Sequence, residues 1–542
     1  MRLLLLIVLT CSGSLSVKAL EPQVFPDSTN LPLVIINTNG GVIADEPKIT
    51  VDMKIIYHGI GTYNRPSDPG NIYSGKAGIE YRGAYSQILP QKPYGFETRD
   101  AQGNNLNVPL LDMPAENDWI LLANYNDKSF MRNMLAFHLY RQMGHYAPRA
   151  HLCEVIVNEE YKGIFVLAEK VKRDKNRLDI AKLDTDDNAG DSLSGGYIFA
   201  TDYYNDYNSW TSNYMAAGRT DHQVHFVYKY PDPEVITSQQ KNYIRSFVNT
   251  FESKLYGSNF TDPAAGYRAY MDVSSFIDYF ILGEVSRNVD AYKKSCYYHK
   301  NRDDKNGLLH AGPAWDFDWA WKNIYDNCYI WEETDGSNWA YLVNDCHNWP
   351  VVPSWIPRLL EDPAFRNELD IRYTSLRQTI LSNTYLDHYI DSVKSLVYTA
   401  QKRHYIKWPI LGENVGAPEV DPPAETFDDE IEKFRDWITL RLAWLDANMP
   451  DEQTTGAEQV ESDEVKLRLF PNPAHDLVFI ESAKKIRRIE MISSGGILAW
   501  KKDFPGSYSI PVDVSQLAAG LYFARIILED GSTAAVTFVV ER

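Results

Sequence analysis

An α+β fold followed by a small all-β appendage is what the 542-residue sequence predicts. Three observations carry that prediction. Short β-branched and aromatic runs crowd the early chain, and longer runs of helical period follow them. After an acidic break near residue 450, only short alternating runs separated by turn formers remain. Composition permits a real core, with 44% hydrophobic and 23% charged residues. The 35 Tyr, 21 Phe and 13 Trp exclude disorder as the dominant state, because burying aromatics offsets ordering entropy. At roughly 150 residues per domain the length is a prior for about three domains.

Residues 1–20 read as a secretory leader. Arg2 supplies the positive start, Leu3 to Leu9 the short apolar run, and Ser16-Val17-Lys18-Ala19 the small residues for cleavage. That run is too short to span a bilayer, and no later apolar stretch reaches spanning length, so no transmembrane segment is expected in the mature chain. Cys11 raises a lipoprotein reading, but Thr10 before it suits that processing poorly. Cleavage leaves Cys153, Cys296, Cys328 and Cys346. The last two flank a Trp-rich, loop-like stretch, and in an oxidising compartment they are expected to form a disulfide. Cys153 and Cys296 lie in strand-like runs and read as buried thiols. No CxxC and no His at ligand spacing argue against zinc. The net charge of −19 disfavours nucleic-acid binding, since phosphate backbones would be repelled.

Residues 21–450 read as one large α+β unit. Its expected strands are 33–37, 49–57, 78–82, 94–98 and 154–157. A first helix is signalled by Ser129 as cap, apolar Phe130, Met134 and Phe137, and Gly144 as terminator. A second starts at Ser238 with Tyr243, Ile244, Phe247, Val248, Phe251 and Leu255 on one face. A third, 273–286, is apolar nearly all round and should be central. A last one, 428–448, turns Ile431, Phe434, Ile438, Leu442 and Leu445 inward. Residues 451–465 hold six acids and no bases, as a solvated linker would. Beyond them, runs at 466–470, 477–480, 488–492, 508–512, 521–528 and 533–540 imply six or seven short strands in a small immunoglobulin-like β-sandwich over 466–542. Turns at Pro471-Asn472-Pro473, Ser494-Gly495-Gly496 and Asp530-Gly531 separate them.

Several common motifs fail. Gly70 to Ala77 nearly spells a P-loop, but Ala77 replaces the hydroxyl that holds magnesium, so the stretch reads as a turn-rich loop. There is no HExxH and no GxSxG. The informative stretch is 272–321: a buried helix, then Asp290, a hairpin of strands 296–300 and 308–311, and Trp315-Asp316-Phe317-Asp318-Trp319. Helix, acidic loop, hairpin, acidic loop is the order in which a protein kinase builds its catalytic centre. Asp290 stands where the hydroxyl proton is accepted, Ser295 five residues on, and Asp316 where magnesium is held. Hard oxygen ligands are what that cation prefers.

Two resemblances sharpen this reading. Gly78 to Gln87, Pro90 to Glu97, Asp118-Trp119-Ile120-Leu121 with Arg132-Asn133, Gly163 to Lys170, and Trp315 to Asp318 resemble, in order, the CotH family of spore-coat-protein-H-like atypical kinases. That resemblance implies a divergent protein-kinase-like domain using ATP and Mg2+ (or Mn2+) to phosphorylate protein Ser or Thr. It casts Asp290 as the catalytic acid, Asp316 and Asp318 as metal ligands with Ser295 at a weaker metal position, Lys92 as a phosphate contact oriented by Glu169, and Arg82 and Ser86 in a loop over the phosphates. The tail, from Leu469-Phe470-Pro471-Asn472-Pro473 to Ala519-Gly520-Leu521-Tyr522-Phe523, resembles the C-terminal sorting domain of the type IX secretion system. This implies passage across the outer membrane to the cell surface or the medium. ATP is scarce there, so the alternative reading is a catalytically inactive kinase-like surface protein, its Trp and Tyr around 315–355 serving adhesion or glycan and protein binding. A two-carboxylate glycoside hydrolase is a third reading, which the sequence alone cannot test by distance.

Overall fold

The computed structural model describes residues 27–290, 292–451, 467–493, 498–530 and 533–541. The predicted leader with Cys11, all but the first residue of the predicted linker, the 494–496 turn and Gly531 lie outside the described residues. The chain divides into two compact units between Thr454 and Thr455.

Alternation builds the first half of the larger unit. Its strands are β1 (Leu33–Asn37), β2 (Ile49–Ile56), β3 (Tyr73–Tyr81), β4 (Tyr94–Arg99), β5 (Val108–Leu110), β6 (Met113–Glu116), β7 (Asp118–Ala123), β8 (Ala150–Val157) and β9 (Glu160–Glu169). In β2, Val51, Met53 and Ile55 are buried while Asp52 between them is exposed, the period-2 pattern of a one-sided strand. Seven strands close into a barrel in the order β1-β2-β3-β4-β7-β9-β8, sealed by parallel pairing of β1 with β8. Its interior is apolar, filled by residues such as Met53, Ile79, Phe96, Trp119, Cys153 and Phe165. Strand β3 begins at Tyr73, inside the stretch read as a P-loop-like turn: Ser74 to Ala77 pair with β2 instead.

β8 and most of β9 are buried on both faces, so the outer one needs a cover. Helix Ala400–Lys407 supplies much of it, and the His404 ring nitrogen accepts the Ile164 N–H at 3.0 Å. Beyond the barrel, β10 (Tyr197–Thr201), β11 (Ser209–Thr211), β12 (His225–Tyr230), β13 (Cys296–Lys300) and β14 (Leu309–Ala311) form a second sheet, ordered β11-β12-β10-β13-β14. Helix Val273–Ser286 is central, as its composition predicts: every residue from Ser275 to Ser286 is buried. It packs on β14 and on helices Arg132–Gln142, Pro363–Arg377 and Phe427–Asn448.

The first predicted helix starts later than its cap suggests. Ser129 accepts the Met131 N–H but lies outside the helix, which begins at Arg132; Gly144, at φ 102°, ends it. Cys328 and Cys346 are joined as a disulfide, and Cys153 and Cys296 are buried thiols. Trp315, Trp321, Trp331 and Trp355 are all at most 7% exposed and so are withdrawn from ligand contact, while Tyr325, Tyr329 and Trp349 stay exposed at 55, 48 and 45%.

The described residues of the smaller unit form five strands, β15 (Leu467–Phe470), β16 (Leu477–Ser493), β17 (Leu498–Asp513), β18 (Gly520–Leu528) and β19 (Thr533–Val540). Predicted strands 477–480 and 488–492 merge into β16, because register shifts between Glu481 and Arg488 bend the strand without breaking its pairing with β17. All five belong to one connected sheet around a core that includes Ile480, Ile489, Met491, Ile526 and Phe538.

Candidate active site

Helix Val273–Ser286 delivers the first acid. It ends at Arg287 in the left-handed region, φ 40°. The buried guanidinium holds that turn by donating to Asn323 Oδ1, Ser337 O and Glu333 O at 2.5, 2.8 and 2.8 Å. The chain then passes through Asn288, whose Oδ1 accepts the Asp290 N–H at 3.3 Å and whose Nδ2 donates to Asp316 O at 3.0 Å. One side chain thereby ties together two acidic loops 26 residues apart in sequence.

The hairpin of β13 and β14 returns the chain to the same place. Ser295 (φ 50°) precedes it and Asp316 (φ 67°) follows it, both in a conformation that L-residues seldom adopt. Ser295 Oγ donates to Asp316 Oδ2 at 3.0 Å. Asn126, from the segment after β7, donates through Nδ2 to Asp318 Oδ2 at 3.0 Å.

Burial and mutual repulsion dominate the electrostatics. Burial, then Asp318 and Asp290, push the Asp316 carboxyl up to about 7 against the pull of Ser295 and Arg82. Asp318 is raised by burial despite its bond from Asn126 and the nearby Lys322 charge. Asp290 is raised by burial, with Lys294 opposing; their side chains are 3.7 Å apart. Arg82 lies over Trp315, its guanidinium carbon 5.5 Å from the ring centroid; burial lowers its pKa, and Asp316 is the leading charge that opposes that shift.

Asp290, Ser295, Asp316, Asp318 and Arg82 are thus brought together. Ser86 sits nearby in the β3–β4 loop, its hydroxyl so close that a Cβ on Gly83 (φ 91°) would meet it at 2.1 Å. The same loop sets Tyr85 edge-on to Trp319 at 5.6 Å. Lys92 and Glu169 are not partners. Lys92 Nζ donates to Gln87 O and lies 5.5 Å from the Tyr81 ring centroid. Glu169 is fully buried and accepts from the Arg149 backbone N–H at 2.9 Å and its guanidinium at 2.8 Å, with Arg177 at 3.8 Å. In the barrel, β7 separates β4 from β9, and the register sets Glu169 level with Phe96 while Lys92 precedes β4 at its Tyr94 end, so the two are offset along the strands as well as across them.

Sequence reasoning missed Asn126, Asn288 and Lys322. Lys322 is 4% exposed, donates to Asn126 O at 2.9 Å, and burial lowers its ammonium to about 8. A signal existed: Asn124 to Ser129 is a polar run between an apolar strand and an apolar helix, and Lys322 lies four residues after Asp318. The apolar pocket lined by Phe276, Tyr279, Tyr292, Tyr298 and Trp355 includes none of the carboxylates in its lining.

A family model, CotH kinase protein, matches residues 79–445, more than half of the chain. The chain belongs to the CotH family. The match spans the barrel from Ile79 onward and the whole acidic centre. A second model, the secretion system C-terminal sorting domain, matches residues 468–541. This CotH-family chain therefore carries a type IX sorting tail, which indicates export across the outer membrane to the cell surface or the medium. Among the described residues no helix is long and apolar enough to cross a membrane. No curated protein matches the chain. Among solved structures, the crystal structure of CopC from Methylosinus trichosporium OB3b is similar at 19% identity, over 14% of this chain and 94% of that one. Its TM-score of 0.12 carries no argument about fold.

The donors suit a hard divalent cation. Among the described residues no three His, Cys, Asp or Glu side chains converge on one point. Asp316 and Asp318, each raised by burial, offer two carboxylates, the number with which magnesium is commonly held when substrate phosphates complete its shell.

Proposed function

We propose that this exported CotH-family protein is an atypical kinase, transferring the γ-phosphate of ATP to a Ser or Thr hydroxyl of a protein. The observation that carries the reading is the half-buried carboxylate set: Asp290, Asp316 and Asp318 lie close enough to influence one another's ionisation, on loops that follow the helix and the hairpin. Keeping like charges together is unfavourable unless a cation shares the site. Asp316 and Asp318 would hold Mg2+ or Mn2+, whose chemistry is to neutralise charge on the phosphates. Asp290 accepts the proton of the attacking hydroxyl, and its upward shift brings it closer to a working base. Arg82 lies beside Asp316, whose charge favours the cationic guanidinium against the downward pull of burial. Ser295 orients Asp316, and the β3–β4 loop with Ser86 borders the centre.

The test is thermal unfolding of the exported protein with and without ATP and magnesium, beside Asp316→Ala. A ligand bound to the native state alone stabilises it by about 2.7 kcal/mol at a hundredfold excess over its dissociation constant. The parent should shift and Asp316→Ala should not, while Asp290→Asn should still bind and lose phosphate transfer. No shift in the parent at millimolar ATP would sink the kinase reading.

A further inference from the structure

The segment joining β7 to the first long helix is unusual for a connection: Asn124, Asn126, Asp127, Lys128 and Ser129 are each at most 3% exposed. Burying so many polar groups is unfavourable unless each finds a partner, so the partners reveal what the segment does. Asp127 and Ser129 bond each other and Arg132, which starts the helix. Lys128 Nζ donates to Glu413 O at 2.6 Å. Asn126 faces two ways. Its Nδ2 donates to Asp318 Oδ2 at 3.0 Å, and its Oδ1 accepts the Ala417 N–H at 2.7 Å. The amide can point only one way, since flipping it would set oxygen against carboxylate and NH2 against N–H. Lys322 fixes its backbone by donating to Asn126 O at 2.9 Å. In the 413–417 loop that Asn126 meets, Gly416 O accepts from Tyr85 O–H at 3.4 Å. Gly416 has φ 66°, and a Cβ there would lie 2.0 Å from Asn126 Oδ1.

We propose that Asn126 is a positioning residue with two tasks: it sets the Asp318 carboxylate, and it latches the 413–417 loop beside the acidic centre. The first task rests on the reading of Asp318 as a metal ligand; the second does not. Asn126 touches neither nucleotide nor acceptor and acts through Asp318. A merely structural asparagine would need neither a charged acceptor nor a link to the loop.

Three full-length variants separate the tasks, read by Mg·ATP affinity in calorimetry and by hydrogen exchange at the Ala417 amide. Asn126→Asp keeps the oxygen that accepts Ala417 N–H but turns a donor into a second carboxylate against Asp318. It should weaken Mg·ATP about tenfold or more, the loss expected for a hydrogen bond to a charged group, with exchange unchanged. Asn126→Ala should weaken binding and speed exchange at Ala417. Gly416→Ala displaces the amide from the far side and should weaken binding with Asn126 intact, so the proposal stays testable if either Asn126 variant fails to fold. Binding within about twofold of the parent in Asn126→Asp or Gly416→Ala overturns the first task. Unchanged Ala417 exchange in Asn126→Ala overturns the second, and this arm stands even if the parent binds no Mg·ATP and the kinase reading falls.

Discussion

The Asp316 carboxyl is raised from 3.8 to about 7 by burial beside Asp318 and Asp290. Between those values the folded chain keeps a proton that the unfolded chain has released, so stability falls as pH rises from about 4 to about 7. Asp316→Asn removes the charge. In metal-free buffer its advantage over the parent should be near zero at pH 4 and reach ~1–2 kcal/mol at pH 8, a value reduced for partial exposure and for Arg82 nearby. A melting difference that does not change with pH would refute this origin. Glu169 and Lys92 give the contrasting case. Glu169→Ala strands Arg149 and Arg177 and should cost about 3–5 kcal/mol in denaturant unfolding. Lys92→Met should cost under ~1 kcal/mol, since it loses one carbonyl contact. If nucleotide binds, Arg82→Met should weaken it more than Lys92→Met does. The acids were legible because Asp290, Ser295 and Asp316 bracket one hairpin, where sequence distance and spatial distance agree. A Lys–Glu pair was not, since it depends on which strand lies between β4 and β9.

At the scale of elements, local chemistry and tertiary packing can be told apart. Helix Ser238–Leu255 starts where its sequence says, because Thr237 and Gln240 form a reciprocal capping box. Thr237→Ala should lower stability by about 1 kcal/mol, seen as a shifted denaturation midpoint at unchanged slope. An equal stability in that variant would mean that packing of Ile244, Val248, Phe251 and Leu255 alone sets the helix start. Helix Arg132–Gln142 shows the opposite: Ser129 is a good cap by type, but Asp127 and Arg132 recruit it into their own bonds and the helix begins after them. β16 makes a related point. Two predicted strands became one because a bulged strand stays paired through its irregularity, and the polar stretch from Glu481 to Arg487 could not say which would happen.

On the scale of the whole molecule, each unit has its own apolar core, so the larger should fold without the smaller. Deleting residues 467–542 should leave the melting of the larger unit unchanged and stop the protein in the periplasm, seen by cell fractionation. Surface display of the truncated chain would remove the tail from the export route. By itself the sequence determined that there is a large α+β unit with a β tail, the buried central helix, the disulfide pair, the family and the order of the acids. These follow from period, composition and short-range spacing, which each segment carries alone. Only the tertiary structure decided that the early strands close into a barrel, that Glu169 answers Arg149 and not Lys92, that most tryptophans are core, and that Asn126 stands behind Asp318. Those facts depend on which segments become neighbours, and neighbours are chosen by the burial of the entire chain at once.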